Sequence, residues 1–467
     1  MSFLRSIISI IPEVKRPDEK RVPFKIKLKW TFIILLAFFI LSIIPLYGLG
    51  QNALSQFESL SIILGASFGS LMSLGIGPIV TASIVLQLLA GSGMLKIDQR
   101  SPEGREFFQG LQKVLSLFFI LFEAIVYVFM GGLAPAPDLV GTSSYLILQL
   151  FLVVQLCLGG LLVLFMDDLV SKWGFGSGLS LFIVAGVASS IFIQAFSPLT
   201  RAGTFAFGTG QAPIGQVWVF FQSLLSGNPT SAILAVSAIL ATIVVFVVSV
   251  YAQAMKVEIP LSFGRIRGHG IRWPLKFIYT SNIPVILVAA LIANIQLWAR
   301  LLDNWGKPIL GTFIGNQPAS GLVLFINSPN IVQNLITGSF RGMDLVSTLV
   351  YGALMIGGSV LFSIFWVQTA NMDAASQAKN IMASGLQIPG FRRDERVLEQ
   401  ILKRYIFPLT VMGAIAVGFL AASADILGAL SRGTGILLSV MIVYKLYEDI
   451  AQQHMMDMHP ALRKMME

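Results

Sequence analysis

Residues 54–89 read LSQFESLSIILGASFGSLMSLGIGPIVTASIVLQLL. Leu54–Leu64 is apolar but too short to cross a bilayer, whose hydrocarbon core takes about 20 residues of helix. Gly65, Gly69, Gly75, Gly77 and Pro78 interrupt the run, and a second short apolar piece continues to Leu89. Broken backbone at membrane depth must face protein or a water-filled cavity, because lipid satisfies no peptide N–H or C=O. The stretch therefore reads as a re-entrant helix over Phe57–Ser67 followed by a spanning helix. One long kinked helix, or a short helix at the interface, fits the same residues.

The rest of the chain is of the same kind. Its 467 residues are 55% hydrophobic and 12% charged, with a mean hydropathy of +0.80. A soluble domain carries about 25% charged residues, so too little polar surface is left to cover a water-soluble globule. Apolar segments long enough to be spans are Thr31–Leu49, Gly77–Leu89, Leu111–Leu133, Ser144–Phe165 and Gly178–Phe196. Five more follow at Ala232–Ala254, Phe277–Ala299, Leu345–Val367, Ile406–Ala422 and Ile426–Tyr447. With these ten spans, 27 of the 32 Lys and Arg fall on the side of the N-terminus and 5 on the other. Cytoplasmic loops hold the excess of Lys and Arg, so both termini are expected in the cytosol. Five spans precede the loop Pro198–Thr230 and five follow. An odd number per half inverts the second half relative to the first, the arrangement of many proteins with a central pathway.

Ser2–Ile11 is apolar and the basic run from Lys15 to Lys29 follows it, the reverse of a cleavable signal. Phe3, Leu4, Ile7, Ile8 and Ile11 share a helical face, which reads as an amphipathic helix on the membrane surface. Two basic segments, Met255–Lys276 and Ala370–Arg404, carry 11 Lys and Arg and hold Pro260, Gly264, Gly268, Pro389 and Gly390. They are longer than a turn needs, and a projecting basic surface suits RNA or an acidic protein. Glu123 sits alone within LFFILFEAIVYVF, and a carboxylate at that depth should face the bundle interior. Thr81, Gln87, Asn282 and Asn294 are other polar groups on spans, each equally readable as glue between helices. One cysteine, Cys157, and three histidines give no metal constellation, and neither GxxxxGK[ST] nor HExxH occurs. No cofactor is expected.

Several stretches resemble one family in its own order. GIGPIVTASIVLQLLAGSG (Gly75–Gly93), KWGFGSGLSLFIVAGV (Lys172–Val187), VEIPLSFGRIRG (Val257–Gly268) and YTSNIPVILVAALIANIQLW (Tyr279–Trp298) are similar to the SecY family. IPGFRRDERVLEQILKRYI (Ile388–Ile406) and GALSRGTGILLSVMIVYKLYE (Gly428–Glu448) complete the set. SecY is the large subunit of the Sec protein translocon, and the details look archaeal or eukaryotic. Arg432, in a turn that is more glycine-rich in relatives, departs from the pattern.

The resemblance implies an all-α membrane protein of ten transmembrane helices, in two inverted five-helix halves forming a clamshell with a re-entrant plug. The expected division is a cytosolic segment 1–30, a first half 31–197 with the plug at about 57–67, and an external loop 198–229. A second half 230–449 follows, with basic loops at about 255–276 and 370–404, then a cytosolic tail 450–467. Phe57, Leu60, Ile63, Leu64 and Ser67 fall in the plug. Ile76, Val80, Leu179, Ile183, Ile286 and Leu438 match the family's aliphatic pore ring. Thr81, Glu123 and Asn294, with Asn282, match its lateral gate; Arg265, Arg267, Arg392 and Arg393 match its ribosome-binding loops. The implied function is a protein-conducting channel, not an enzyme. It translocates secretory chains with a ribosome docked and releases transmembrane segments sideways. The implied partners are two small single-span subunits (gamma-like and beta-like), the ribosome with its RNA, signal sequences, nascent polypeptides and membrane lipids. The implied place is the cell membrane, with multiple passes. A small-solute transporter would need a polar midplane site, and an intramembrane protease a catalytic dyad that lone Glu123 does not supply.

Overall fold

The computed structural model describes residues 12–17, 22–52, 66–91, 94–95, 97, 101–200, 204–206, 211–263, 270–280, 283–314, 317–383, 386–387, 394–431 and 433–458. Ten long helices run through them. These are α1 (Phe24–Ile43), α2 (Gly77–Gly91), α3 (Pro102–Phe129), α4 (Ser143–Trp173) and α5 (Gly178–Phe196) in the first half. The second half holds α6 (Pro229–Ala254), α7 (Ile283–Asn304), α8 (Gly342–Thr369), α9 (Glu395–Ile426) and α10 (Gly433–Met458). They correspond one to one to the ten apolar segments. Eight of them are long and apolar enough to cross a membrane. α10 meets Lys445, Glu448 and Asp449 too early to qualify. α2 has only 15 residues, ~22 Å of helix at 1.5 Å per residue.

The segment before α2 supplies the missing length. Residues 66–76 are irregular, and their backbone is satisfied by protein as membrane depth requires. Leu71 N donates to Ile44 O at 2.9 Å, and Leu46 N donates to Gly69 O at 2.9 Å. Ser67 Oγ donates to Ser42 O at 3.1 Å. Met72, Leu74 and Ile76 are buried. α4 passes so close that a Cβ on Gly159 would lie 1.8 Å from the Leu71 carbonyl oxygen. Gly69 and Gly75 take φ of 95° and 54°, which L side chains rarely adopt.

Helix ends differ from the apolar segments where polar groups find partners. α1 begins at Phe24, so Lys25, Lys27 and Lys29 lie on its first turns, where long stems reach the polar boundary. α3 opens on Ser101, whose Oγ accepts from Gly104 N at 3.0 Å, with Pro102 at the first helical position. Ile426, expected to open the last span, instead ends α9, and α10 starts at Gly433. The cause is Asp425, a buried carboxylate that stays on α9 because Tyr351 Oη and the start of α10 bind it.

The halves meet at two seams. At one, α2 lies against α7 and α8. At the other, α10 lies against α5, and a Cβ on Gly435 would sit 3.2 Å from Val187 Cγ2. The first basic loop is a hairpin of β1 (Lys256–Phe263) and β2 (Gly270–Lys276), paired antiparallel from Lys256↔Lys276 to Ser262↔Gly270. β3 (Leu386–Gln387), from the second basic loop, adds to the end of β1 at Ser262↔Gln387 and Phe263↔Leu386. Two loops over a hundred residues apart are thus one small sheet.

Candidate pore and lateral gate

Four helices and the break before α2 carry the six ring candidates. Ile76 ends the break, Val80 lies on α2, Leu179 and Ile183 on α5, Ile286 on α7 and Leu438 on α10. All six belong to one central apolar cluster. Ile76, Val80, Ile183 and Leu438 are 1%, 4%, 2% and 1% exposed, so no open passage runs through them. A cavity of about 840 Å³ has Val80, Leu179, Ile183 and Ile286 among its lining residues. Gln109, Gln112, Gln377 and Asn380 also line it, with Arg105, Lys445 and Asp449 as its ionisable groups among the described residues. Amide side chains, two cations and one anion thus share the cavity with those aliphatic side chains.

The gate candidates meet across the α2–α7 seam. Asn294 Nδ2 on α7 donates to Thr81 Oγ1 on α2 at 2.9 Å. Thr81 Oγ1 lies 2.8 Å from Gly77 O and 3.2 Å from Glu123 Oε1 on α3, so its proton is shared between them. Glu123 is 1% exposed, and its Oε2 has no hydrogen-bond partner among the described residues. The Asn294–Thr81 bond thus joins residues 213 apart in sequence across the α2–α7 seam, beside the Glu123 carboxyl. Two apolar contacts at this seam carry no signal in the sequence. The Phe122 ring on α3 stacks on Trp298 of α7 at 5.4 Å and 26°. Gly91 of α2 admits Phe365 of α8, whose ring would come within 2.5 Å of a Cβ there.

Other expected residues fall outside the described residues: Phe57, Leu60, Ile63 and Leu64 of the plug, Asn282, and Arg265, Arg267, Arg392 and Arg393. The strands flanking the four arginines are the paired ends of β1 and β3. The helix expected over Ser2–Ile11 also lies outside. The chain just after it, from Glu13 to Lys15, is tied to α3 and α4. Lys113 of α3 and Lys172 of α4 hold Glu13 at 2.7 and 3.3 Å. Val14 N donates to Asp168 Oδ2 at 2.9 Å, and Trp173 Nε1 donates to Lys15 O at 2.9 Å. The hydrogen bond from Lys113, with both ammonium charges behind it, keeps the Glu13 carboxyl below its usual pKa.

Comparison with known families gives a match to the SecY model over residues 70–447 and to the plug domain of Sec61p over residues 36–69. The chain belongs to the SecY family. It is 46% identical over 465 residues to the protein translocase subunit SecY of Methanothermobacter thermautotrophicus, covering 98% of this chain and 97% of that one. To that of Methanocaldococcus jannaschii it is 42% identical over 466 residues, covering 100% of both. Among solved structures, a protein-conducting channel superposes with a TM-score of 0.83 at 41% identity, over 98% of this chain and 99% of that one. Sec61 in the canine ribosome–channel complex from the endoplasmic reticulum gives 0.79 at 41% identity, over 98% and 99%. Membership makes the chain a multi-pass integral membrane protein of the two-halved, inverted fold, a channel subunit and not an enzyme. The plug match overlaps the segment expected to re-enter the membrane.

Proposed function

We propose that this SecY-family chain passes secretory polypeptides through the ring of Ile76, Val80, Leu179, Ile183, Ile286 and Leu438, and releases apolar segments between α2–α3 and α7–α8. The observation that carries the reading is the cavity lined by four of those aliphatic side chains, beside the seam that the Asn294–Thr81 bond spans. A signal sequence is an apolar helix that is better in lipid than in water. Seated at the seam, it parts Asn294 from Thr81 and Glu123, and the plug around Phe57–Ser67 moves aside. Polar segments then cross the ring, and sufficiently apolar ones leave sideways.

The reading includes co-translational work. The sheet that joins both basic loops offers Arg265, Arg267, Arg392 and Arg393 to ribosomal RNA, where guanidinium forks match phosphates. Both termini and that sheet lie in the cytosol, the membrane is the cell membrane, and two small single-span subunits brace the halves.

The test is crosslinking with a stalled nascent chain. In a Cys157→Ser background, Ile183→Cys and Ile286→Cys are compared with Leu36→Cys, an exposed position on α1. Ribosomes carry a truncated secretory chain with one cysteine in its translocating segment. Crosslinks at both ring positions and none at Leu36 support the pore. Bound ribosomes without ring crosslinks remove the ring assignment, and absence of ribosome binding removes the co-translational reading.

A further inference from the structure

α5 and α10 begin in the same unusual way. Ser177, the N-cap of α5, makes no side-chain cap to the helix. Asp167, near the end of α4, does so instead. Its Oδ1 accepts from Leu179 N at 3.0 Å and lies 3.4 Å from Ser177 Oγ. At the start of α10, Asp425 from the end of α9 accepts from Thr434 N at 2.8 Å. Asp425 also takes hydrogen bonds from the hydroxyls of Thr434 and of Tyr351 on α8. Each capped helix opens on a glycine pressed against the preceding helix. A Cβ on Gly178 would lie 2.6 Å from Asp167 Cα, and one on Gly433 would lie 2.1 Å from the Ala424 carbonyl carbon.

The two junctions occupy equivalent places, fourth helix to fifth in each half. With ten alternating spans they lie on opposite faces of the membrane. The first N–H groups of a helix have no partner of their own, and a side-chain oxygen held at the right reach satisfies them. One turn past the capped residues Leu179 and Thr434 stand Ile183 and Leu438, both ring candidates. We propose that Asp167 and Asp425 are a symmetry-related pair of positioning residues. Each fixes the height and rotation of one ring-bearing helix from its own face of the membrane, and so sets the resting seal of the channel. The proposal rests on the assignment of the ring to these helices.

The test varies the length of the carboxylate arm. Channels carrying Asp→Asn, Asp→Glu or Asp→Leu at 167 or 425 are reconstituted at equal amounts in liposomes, and resting chloride efflux is read with a chloride-sensitive dye. Ile183→Gly and Leu438→Gly serve as ring controls. At 167 Asn keeps a carbonyl oxygen at the same reach, so its efflux stays within roughly two-fold of the parent; at 425 its NH2 would replace the oxygen that accepts from the Thr434 and Tyr351 hydroxyls, so the Asn-against-Glu order is read at 167. Glu keeps the charge but is one methylene too long, displaces the helix and raises efflux by roughly three-fold or more, with Leu higher still. A general electrostatic or folding role reverses that order, with Glu near the parent and Asn leaky, and overturns the proposal. So do Glu and Leu channels as tight as the parent while the glycine controls leak. If the Leu channels fail to assemble, the Asn-against-Glu order decides alone. Tight glycine controls remove the ring assignment itself, which separates that failure from this one.

Discussion

Replacing Asn294 by Leu should make the channel harder to open, by an amount the seam lets one work out. Asn294 is 7% exposed and contributes one bond, to Thr81, whose proton is already shared between Gly77 O and Glu123. A hydrogen bond between membrane helices is worth about 0.6 kcal/mol and at most ~1.7, so its loss weakens the closed seam by that much. Burying a leucine that the open, water-filled gate would wet returns about 1.5–3 kcal/mol. The net effect is about 1 kcal/mol toward the closed state, a roughly five-fold shift. A leucine in a membrane-bound segment contributes about 0.3–0.6 kcal/mol, so a signal sequence should need about two more leucines to open the variant. The assay is translocation into proteoliposomes of substrates whose signal core carries a graded number of leucines, read as the midpoint of that series. A midpoint moved toward fewer leucines, at equal channel amounts, would falsify the argument, because it means that the open seam meets lipid and not water.

Trp298→Ala removes the stack on Phe122, worth about 0.5–1.5 kcal/mol beyond its area; disulfide trapping between cysteines placed on α3 and α7 should slow as the seam loosens. Gly159→Ala drives a methyl into the Leu71 carbonyl, with no side chain at fault to rotate away. The expected loss is about 1–3 kcal/mol of stability, seen as a lower melting temperature in detergent. The attachment of residues 12–17 should depend on pH through Glu13. Its folded pKa is depressed, so the stabilisation is complete above the ordinary carboxyl value of 4.5 and is lost as pH falls through the lower folded value. A spin label at Glu13's neighbour Pro12 should gain mobility in that acid window, and Glu13→Gln should give part of that gain at every pH, with Val14 and Lys15 still tied to α4.

The ten spans were legible because lipid demands apolar length and the basic residues sort to one face. Both signals are additive along the chain and need no contacts. The end of α9 was not legible, because hydropathy cannot know that Asp425 is satisfied by Tyr351 and Thr434. Glu123 stood out as a lone carboxylate. Thr81 and Asn294 were placed at the gate by the family resemblance, and the fold brings them to 2.9 Å; the ring side chains are indistinguishable from core by type. They entered through the family resemblance alone. The sheet between the basic loops was illegible for a related reason: β3 is two residues long, too short for any periodicity. The inverted repeat left no sequence repeat because what the halves share is a geometry, an Asp–Gly helix junction, and its spacing differs. Leu179 lies 12 residues from Asp167, and Thr434 lies 9 from Asp425.

The distribution of the ring over the helices bears on how one protein can both seal and yield. Val80 stands on α2 with Ile76 immediately before its first residue, and Ile286 stands on α7, the same helices that bear Thr81 and Asn294. Val80 and Thr81 are neighbours about 100° apart around α2, one turned to the ring and the other to the seam. Parting the seam must therefore carry three of the six ring side chains with it. Leu179, Ile183 and Leu438 stand instead on α5 and α10, which pack on each other at Gly435 and Val187 and are pinned by carboxylates at their first turns. On the proposed reading, half of the ring is fixed and half rides on the gate, so a signal sequence at the seam would widen the ring without touching it, and closing the seam would let the moving half repack against the fixed one.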